Sequence, residues 1–173
     1  MKKFIIIIIL FFNYNLSHAD SIVYLDVQFI IDNSILGKFY KKKIDKIQEK
    51  NNLDLKKKAD QIKKKEKEYN NQKNILSEDQ INNKKADLTK LANEYQVFKK
   101  KLINENIKTK GKYTSEILKV LNPLLTNYVE KNNIKLVVEK KNILIGIKTL
   151  DITNNIIKIL DDHTNNNSLV NEN

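Results

Sequence analysis

Hydrophobic and polar positions divide this chain into apolar runs near both ends and a long polar middle with sparse apolar residues. Residues 21–27, Ser-Ile-Val-Tyr-Leu-Asp-Val, are rich in β-branched and aromatic side chains, which predicts a buried strand. Residues 27–36 leave room for one short helix before Gly37. From Lys38 to about Lys112 the sequence is Lys, Glu, Gln, Asn and Asp with no Pro, which predicts a long pair of helices.

Apolar residues in this middle segment recur at the spacing of a coiled-coil seam. On the outgoing leg, apolar residues recur every seven positions at Leu55, Ile62, Tyr69 and Leu76, while intervening seam positions hold Glu66 and Lys73. The return leg follows three-four-three-four spacing at Leu88, Leu91, Tyr95, Phe98 and Leu102. The pattern therefore predicts an antiparallel hairpin with a thin, incomplete seam.

The turn of this hairpin is predicted at Ser77. Ser77 is followed three residues later by Gln80, which is the spacing of a capping box at the start of a helix. An outgoing leg from Lys38 to Leu76 is roughly 58 Å long at the helical rise per residue. The hairpin is therefore expected to project well beyond the rest of the protein.

Two residues interrupt the helical pattern of the return leg and are hinge candidates. Gly111 lies where the seam thins, and a glycine there costs about 1 kcal/mol of helix stability relative to alanine. It is either a neutral exposed position or a hinge. At Pro123 the helix either kinks or restarts, with Asn122 as its cap and Pro123 at its first position.

The C-terminal part predicts two more strands and one helix. Residues 135–139 and 143–147 are short apolar runs joined by a turn at residues 140–142. Asp151 is expected to cap a helix from Ile152 to about Leu160, with its apolar residues on one face. Residues 161–173 have little to bury and are expected to be a disordered tail.

The N-terminus predicts a secretory signal peptide over residues 1–19. Lys2 and Lys3 precede the apolar run 4–12, and residues 17–19, Ser-His-Ala, place small residues where a signal peptidase reads. A membrane-spanning helix needs about 20 apolar residues, more than this run provides. We expect cleavage after Ala19, and a mature protein outside the cytoplasm, in a compartment without ATP.

The composition argues against an enzyme. The 173 residues include no Cys, three Gly and two His, and the first His lies in the predicted signal peptide. These counts exclude disulfides, thiolate metal sites and glycine-rich phosphate loops, and leave His163 alone in a polar tail. We expect no catalytic residue, no metal and no cofactor.

The positive charge is concentrated on the predicted hairpin. Residues 38–112 hold 23 Lys and 11 acidic residues, a net charge of +12, whereas residues 20–37 and 113–173 together have a net charge of −3. Such a field attracts acidic partners or an anionic lipid surface. The candidate client-binding residues are the lysine clusters of this segment: Lys56, Lys57, Lys58, Lys63, Lys64, Lys65, Lys99, Lys100 and Lys101.

The remaining body is too small to be stable alone, since small domains bury a smaller share of their surface. Self-association through the strands is the usual remedy, so we expect a homo-oligomer. Its predicted core consists of strand residues: Ile22, Val23, Leu25, Leu136, Val137, Val138, Ile143 and Ile145.

With these elements in order, the sequence resembles the Skp/OmpH family of periplasmic chaperones. The resemblance rests on residues 22–28, the Leu-Ser-Glu turn at 76–78, the apolar runs at 136–138 and 143–146, and residues 151–158. It covers about residues 21–160. It implies a homotrimer whose small β body carries three helical tentacles around a cavity, and an ATP-independent holdase that captures unfolded outer-membrane proteins in the periplasm.

The predicted fold is therefore α+β and mostly α. A β-rich oligomerisation body is expected from residues 20–37 and 113–160, and a helical tentacle from residues 38–112. The alternative functions are a structural coiled-coil spacer or adaptor of the cell envelope, and a basic nucleic-acid-binding protein. Export argues against nucleic acid as a partner, and the incomplete seam argues against a pure spacer.

Overall fold

The computed structural model describes residues 21–170, so the predicted signal peptide lies outside the described residues. These described residues form two strands and four helices in the order β1 Ser21–Leu25, α1 Val27–Asn33, α2 Ile35–Gln72, α3 Glu78–Lys131, β2 Ile134–Glu139 and α4 Thr153–Asn166. Two short 3₁₀ turns, Lys140–Asn142 and Lys148–Leu150, lie between β2 and α4. The prediction of a mostly helical α+β fold with a small sheet is confirmed.

The two strands pair in parallel, so the whole helical hairpin is the connection between them. Val23 lies opposite Val137 and Leu25 lies opposite Glu139. Tyr24 of β1 pairs with Val138 and also with Asp151, and the backbone N–H of Ile152 donates to the carbonyl of Tyr24 at 2.9 Å. The strand pair therefore brings residues 21–25, the segment that follows the hairpin and the start of α4 together.

A tight junction joins α1 to α2. The side chain of Asp26 accepts from the N–H of Phe29 at 2.9 Å and begins α1, and Ser34 accepts from the N–H of Gly37 at 3.1 Å and begins α2. A Cβ placed on Gly37 would lie 1.6 Å from the carbonyl oxygen of Ile31. Only glycine fits where α2 lies this close to the carbonyl of Ile31. The helix α2 begins at Ile35, three residues before the predicted start.

The hairpin turns where the sequence predicts. Ser77 accepts from the N–H of Gln80 at 3.4 Å, and the N–H of Ser77 donates to the Gln80 side chain at 3.1 Å, which completes a capping box. At the helical rise per residue, the 38 residues of α2 span about 57 Å and the 54 residues of α3 about 81 Å. The helix α3 thus runs the length of the hairpin and continues into the body.

This helix passes through both hinge candidates without ending. Gly111 and Pro123 lie inside α3, so of the two alternatives at Pro123 the restart with Asn122 as cap is wrong. Leu121 is buried before the proline and Leu124 packs against the core after it, so contacts on both sides keep the chain helical. This packing outweighs the one backbone hydrogen bond that proline cannot make.

The hydrophobic core lies at the root of the hairpin. It is formed by residues of β1, α1, α2, α3 and α4: Val23, Leu25, Ile30, Leu36, Ile117, Leu121, Ile152, Ile156 and Leu160. Every helix of the described chain contributes to it. The body is therefore inseparable from the ends of α2 and α3 that lie within it.

The predicted strand at residues 143–147 is wrong. These residues form an irregular segment between the two 3₁₀ turns, and Leu144 and Ile145 are 102% and 94% exposed. A strand requires a neighbouring edge, and the backbone of Tyr24 in β1 already pairs with both Val138 and Asp151. The segment crosses Tyr24, whose ring would lie 2.8 Å from a Cβ on Gly146.

The last helix is longer than predicted. It begins at Thr153, whose N–H donates to the Asp151 carboxylate at 3.0 Å, and it continues to Asn166. The expected disorder from residue 161 is wrong for residues 161–166. Thr164 is fully buried there and donates to the carbonyl of Leu160 at 2.7 Å, and the Asp161 carboxylate accepts from the N–H of Ile35 at 2.7 Å.

Candidate functional site

The outer hairpin has a seam that is only half-buried. The two long helices contact each other, and the predicted seam residues are all of intermediate exposure except the buried Leu102: Leu55, Ile62, Tyr69, Leu76, Leu88, Leu91, Tyr95 and Phe98. The predicted seam is confirmed. The apolar side chains of the seam are only partly excluded from water. The contacts between the two legs are therefore weak in the part of the hairpin between Leu102 and the turn at Ser77.

The lysine clusters lie along the outside of this hairpin. Lys63, Lys64 and Lys65 on α2 and Lys99, Lys100 and Lys101 on α3 are exposed, as are Lys56 and Lys57. Lys58 differs, because it is half-buried with its Nζ 5.1 Å from the centroid of the Phe98 ring. The nine lysines therefore form a distributed surface, but the structure brings Lys58 and Lys101 together.

These two lysines line a shallow apolar depression of about 790 Å³ on the hairpin, which we call the Val97 depression. Its residues are Lys58, Ala86, Thr89, Lys90, Asn93, Glu94, Val97, Phe98 and Lys101. Val97 is 69% exposed although it is apolar. The depression joins an apolar floor to three ammonium groups and one carboxylate.

A second depression of about 380 Å³, the Leu53 depression, lies nearer the body and has the opposite charge balance. It is lined by Asp45, Gln48, Glu49, Asn52, Leu53 and Lys56. Leu53 is 54% exposed. The same hairpin therefore offers two exposed apolar residues, one among lysines and one among carboxylates.

The root of the hairpin is closed by two tyrosines. The rings of Tyr40 and Tyr113 stack with their centroids 4.5 Å apart. Burial, together with a hydrogen bond to the Glu116 carboxylate, raises the pKa of Tyr40 to about 12, so its hydroxyl stays protonated. The adjoining cleft of about 320 Å³ has both Lys41 and Asp45 in its wall and selects neither sign of charge.

Between this root and the outer seam the hairpin has a polar stretch. Gln48, Asn51, Asn106 and Thr109 are half-buried there, and the amide of Asn51 donates to the Asn106 carbonyl at 3.3 Å. A Cβ on the nearby Gly111 would meet nothing within 4 Å. A side-chain hydrogen bond between two amides therefore joins the legs here, at positions that hold polar residues.

The predicted oligomerisation residues divide into two groups. Val23 and Leu25 are buried in the protomer's own core, and Val137 packs against it. Ile22, Leu136 and Ile145 are exposed, and Val138 and Ile143 are half-buried. Together with the exposed Leu144 and Ile147, the second group gives the body an apolar surface around the irregular segment 143–147.

The ends of this segment are tied together by an ion pair. Lys140 Nζ lies 2.9 Å from the Asp151 carboxylate, which also accepts from the hydroxyl of Thr153. Partial burial raises the pKa of Asp151, but hydrogen bonds from Thr153 and Lys140 outweigh it and the net pKa is lowered. Asp151 therefore stays ionised and holds the base of the segment closed.

Within residues 21–170, no helix is long and apolar enough to cross a membrane. The same residues contain no group of three His, Asp or Glu side chains that could hold a metal ion.

The apolar floor of the Val97 depression was missed by sequence reasoning. Val97 lies one position before the seam residue Phe98, so the heptad pattern places it outside the seam. An apolar residue off the seam of a very polar hairpin was the available signal. Leu53, two residues before the seam residue Leu55, carries the same signal on the other leg.

Comparison with known proteins identifies a family and solved structures of similar fold. Residues 21–160 match the family described as Outer membrane protein (OmpH-like). The fold is similar to that of a Caulobacter crescentus protein proposed to be an outer membrane chaperone (OmpH-like), with a TM-score of 0.73 and 17% identity over 83% of this chain and 85% of that one. None of the curated proteins matches the sequence.

Proposed function

Because this chain belongs to the OmpH-like family of outer membrane proteins, we propose that it is a periplasmic holdase chaperone for unfolded outer-membrane proteins. Two observations together carry the proposal. Residues 38–112 have a net charge of +12, and they form a long hairpin that projects from the core and has a half-buried seam. Nothing in this function requires ATP or a cofactor.

Weak and distributed contacts are what a holdase needs, since its client has to leave again. The nine cluster lysines supply long-range attraction, which chiefly raises the rate of capture. Their aliphatic stems and the exposed Val97 supply apolar contact at short range. The proposed client is therefore an unfolded chain that carries both carboxylates and apolar side chains.

We propose that three copies assemble through the body and hold their hairpins around a common cavity. The exposed apolar surface at Ile22, Leu136 and residues 144–147 supports self-association, because apolar patches of this kind mark interfaces in soluble proteins. The choice of three copies rests on the family. Anionic lipid at the outer hairpin is a further proposed partner, on the same charge argument.

Gly111 and the polar stretch at Asn51 and Asn106 are proposed as the place where each hairpin bends. The legs have no apolar layer there, and alanine at Gly111 would meet no obstacle, so nothing in the packing requires glycine. A glycine without a packing role lowers the cost of bending a helix. Pro123 is proposed as a smaller hinge, since Leu121 and Leu124 anchor the helix on both sides of it.

The capture proposal is tested by replacing the nine cluster lysines with Gln and measuring the rate at which the protein captures an acidic unfolded β-barrel protein. Gln keeps good helix propensity, so the hairpin should survive. We expect a much slower capture, and a much smaller dependence of the rate on salt, because screening removes only an attraction that exists.

The matched control replaces exposed body lysines, for example Lys119, Lys135 and Lys158, with Gln. For each positive charge removed, this control should lower the rate of client capture much less than the hairpin variant does. Equal capture by the hairpin variant and the parent at low salt would reject the proposed role of the clusters. Failure of the parent protein to prevent aggregation of the client would favour an envelope spacer.

The assembly proposal is tested by the solution mass of the Ile145→Asp variant. A carboxylate at this position would be buried without a partner in the interface, so we expect the complex to dissociate. Ile145 is almost fully exposed in the protomer, and the circular dichroism of the hairpin should not change. Ile75→Asp, in the exposed hairpin turn, is the matched control and should keep the parent mass.

A further inference from the structure

The Val97 depression is built along one face of α3. Ala86, Lys90, Val97 and Lys101 follow one another at intervals of four, seven and four residues, which places them on one stripe of the helix. The stripe is about 22 Å long, which matches about seven residues of extended chain at the strand rise per residue. Its shape suits a short extended segment.

Lys58 forms the opposite wall of this depression. It reaches from α2 to the Phe98 ring, so its ammonium group is placed beside the apolar floor. Lys101 lies 3.8 Å from Glu105, but this pair is exposed and contributes little. Around Val97 there are thus three ammonium groups, of Lys58, Lys90 and Lys101, and one carboxylate, of Glu94.

The Leu53 depression provides the contrast within the same hairpin. Leu53 is exposed like Val97, but its charged neighbours are Asp45, Glu49 and a single lysine, Lys56. Apolar exposure alone would make the two depressions equivalent. Charge complementarity distinguishes them, and it assigns an acidic ligand to the Val97 depression only.

We propose that the Val97 depression binds an extended client segment of about seven residues in which an aromatic side chain is flanked by carboxylates. The aromatic ring covers Val97 and the neighbouring edge of Phe98, and the carboxylates lie against Lys90 and Lys101. The inference rests on the proposed function, and it names the kind of segment that the hairpin selects within an unfolded client.

The test uses two labelled seven-residue peptides and the full protein. One peptide has a central Phe between two Asp residues, the other has Lys in place of both Asp, and binding is followed by fluorescence anisotropy at low salt. We expect the Asp peptide to bind and the Lys peptide to bind much more weakly. Val97→Ser should weaken the Asp peptide about tenfold, because it removes most of the apolar contact without touching a buried residue.

Two further variants separate charge from position. Lys90→Gln together with Lys101→Gln should weaken binding of the Asp peptide and reduce its salt dependence. Leu53→Ser, the matched control, should leave the dissociation constant of the Asp peptide unchanged. Helix content should be the same in all of them, since every replaced side chain is exposed.

Several outcomes would overturn the proposal. They are equal binding by Val97→Ser and the parent, equal binding of the two peptides, and no binding of either. A change of solution mass in Val97→Ser would assign the depression to a second copy, and Val97-dependent binding of anionic lipid vesicles would assign it to a membrane surface. Peptide binding without prevention of client aggregation would instead reject the proposed function and leave the depression as a peptide site.

Discussion

The body and the outer hairpin use the same helices in opposite ways. Where α3 passes through the body, Ile117 and Leu121 are almost completely buried in a core to which every helix contributes. Beyond Leu102 the same helix meets α2 along a seam in which each apolar residue stays half-exposed. One continuous helix thus connects a tightly packed region to a loosely packed one.

This difference indicates which region determines stability and which can deform. A buried side chain excludes water on all sides, whereas a half-buried one contributes a fraction of that free energy. Regions with few buried apolar contacts open at low free-energy cost. The hairpin can therefore deform at low cost while the body to which it is attached keeps its structure.

The largest expected effect is the difference between Ile156→Ala in the core and Leu91→Ala in the seam. Ile156 is fully buried, so its truncation should lower the free energy of unfolding by about 2–5 kcal/mol. Leu91→Ala should cost roughly 1 kcal/mol or less, because part of its side chain already contacts water. Urea unfolding followed by circular dichroism measures both, and equal losses would show that the two regions are packed alike.

The second comparison uses two glycines, one in the body and one in the hairpin. Gly37→Ala should destabilise the protein by about 1–3 kcal/mol or more, because its Cβ would collide with the carbonyl of Ile31. Gly111→Ala should stabilise α3 by about 1 kcal/mol, since it improves helix propensity in open space. Thermal unfolding of both variants checks the signs. A destabilised Gly111→Ala would mean that the glycine has a packing role.

The smallest expected effect concerns pH. The folded pKa of Asp151 is lowered, so its stabilising contribution is present above the unfolded pKa of an aspartate and is lost as the pH falls through the folded value. Asp151→Asn should therefore be less stable than the parent at neutral pH, and the difference should shrink on acidification. Urea midpoints from pH 7 to about pH 3 measure this difference.

The outer hairpin supplies the control for this pH effect. Lys101 and Glu105 form an exposed pair at 3.8 Å. Glu105→Gln should change stability little at any pH, because exposed pairs contribute little. A pH-dependent difference of the same size in Glu105→Gln would show that the ion pair in the body has no special role.

The periodic part of the fold could be predicted from the sequence. The capping box at Ser77 and Gln80 and the three-four spacing from Leu88 to Leu102 are local patterns, and both appear in the structure. The strand predicted at residues 143–147 was wrong because the apolar side chains indicate that the segment is buried, but they do not indicate which surface it packs against. In the protomer that surface is exposed, so β propensity alone could not decide its structure.

The ends of the helices depended on contacts that are distant in the sequence. The Asp161 carboxylate caps the chain at Ile35, 126 residues away, and Thr164 turns inward although the surrounding residues are polar. Neither contact leaves a periodic signal. Among the site residues, the lysine clusters were evident from charge, whereas Lys58 and Lys101 became neighbours only through the antiparallel pairing of the two legs.

The parallel pairing of β1 with β2 has a consequence for the order of folding. Val23 and Val137 are separated by the whole hairpin, so their contact closes a very long loop. The hairpin can form outward from its turn at Ser77, because residues of α2 and α3 next to this turn are close in the sequence. Contacts of low sequence separation form fastest. We expect pulsed hydrogen exchange to protect amides of α2 and α3 before those of β1. Until residues 134–139 are available, β1 lacks the strand with which it pairs among the described residues, and its apolar side chains stay exposed to water.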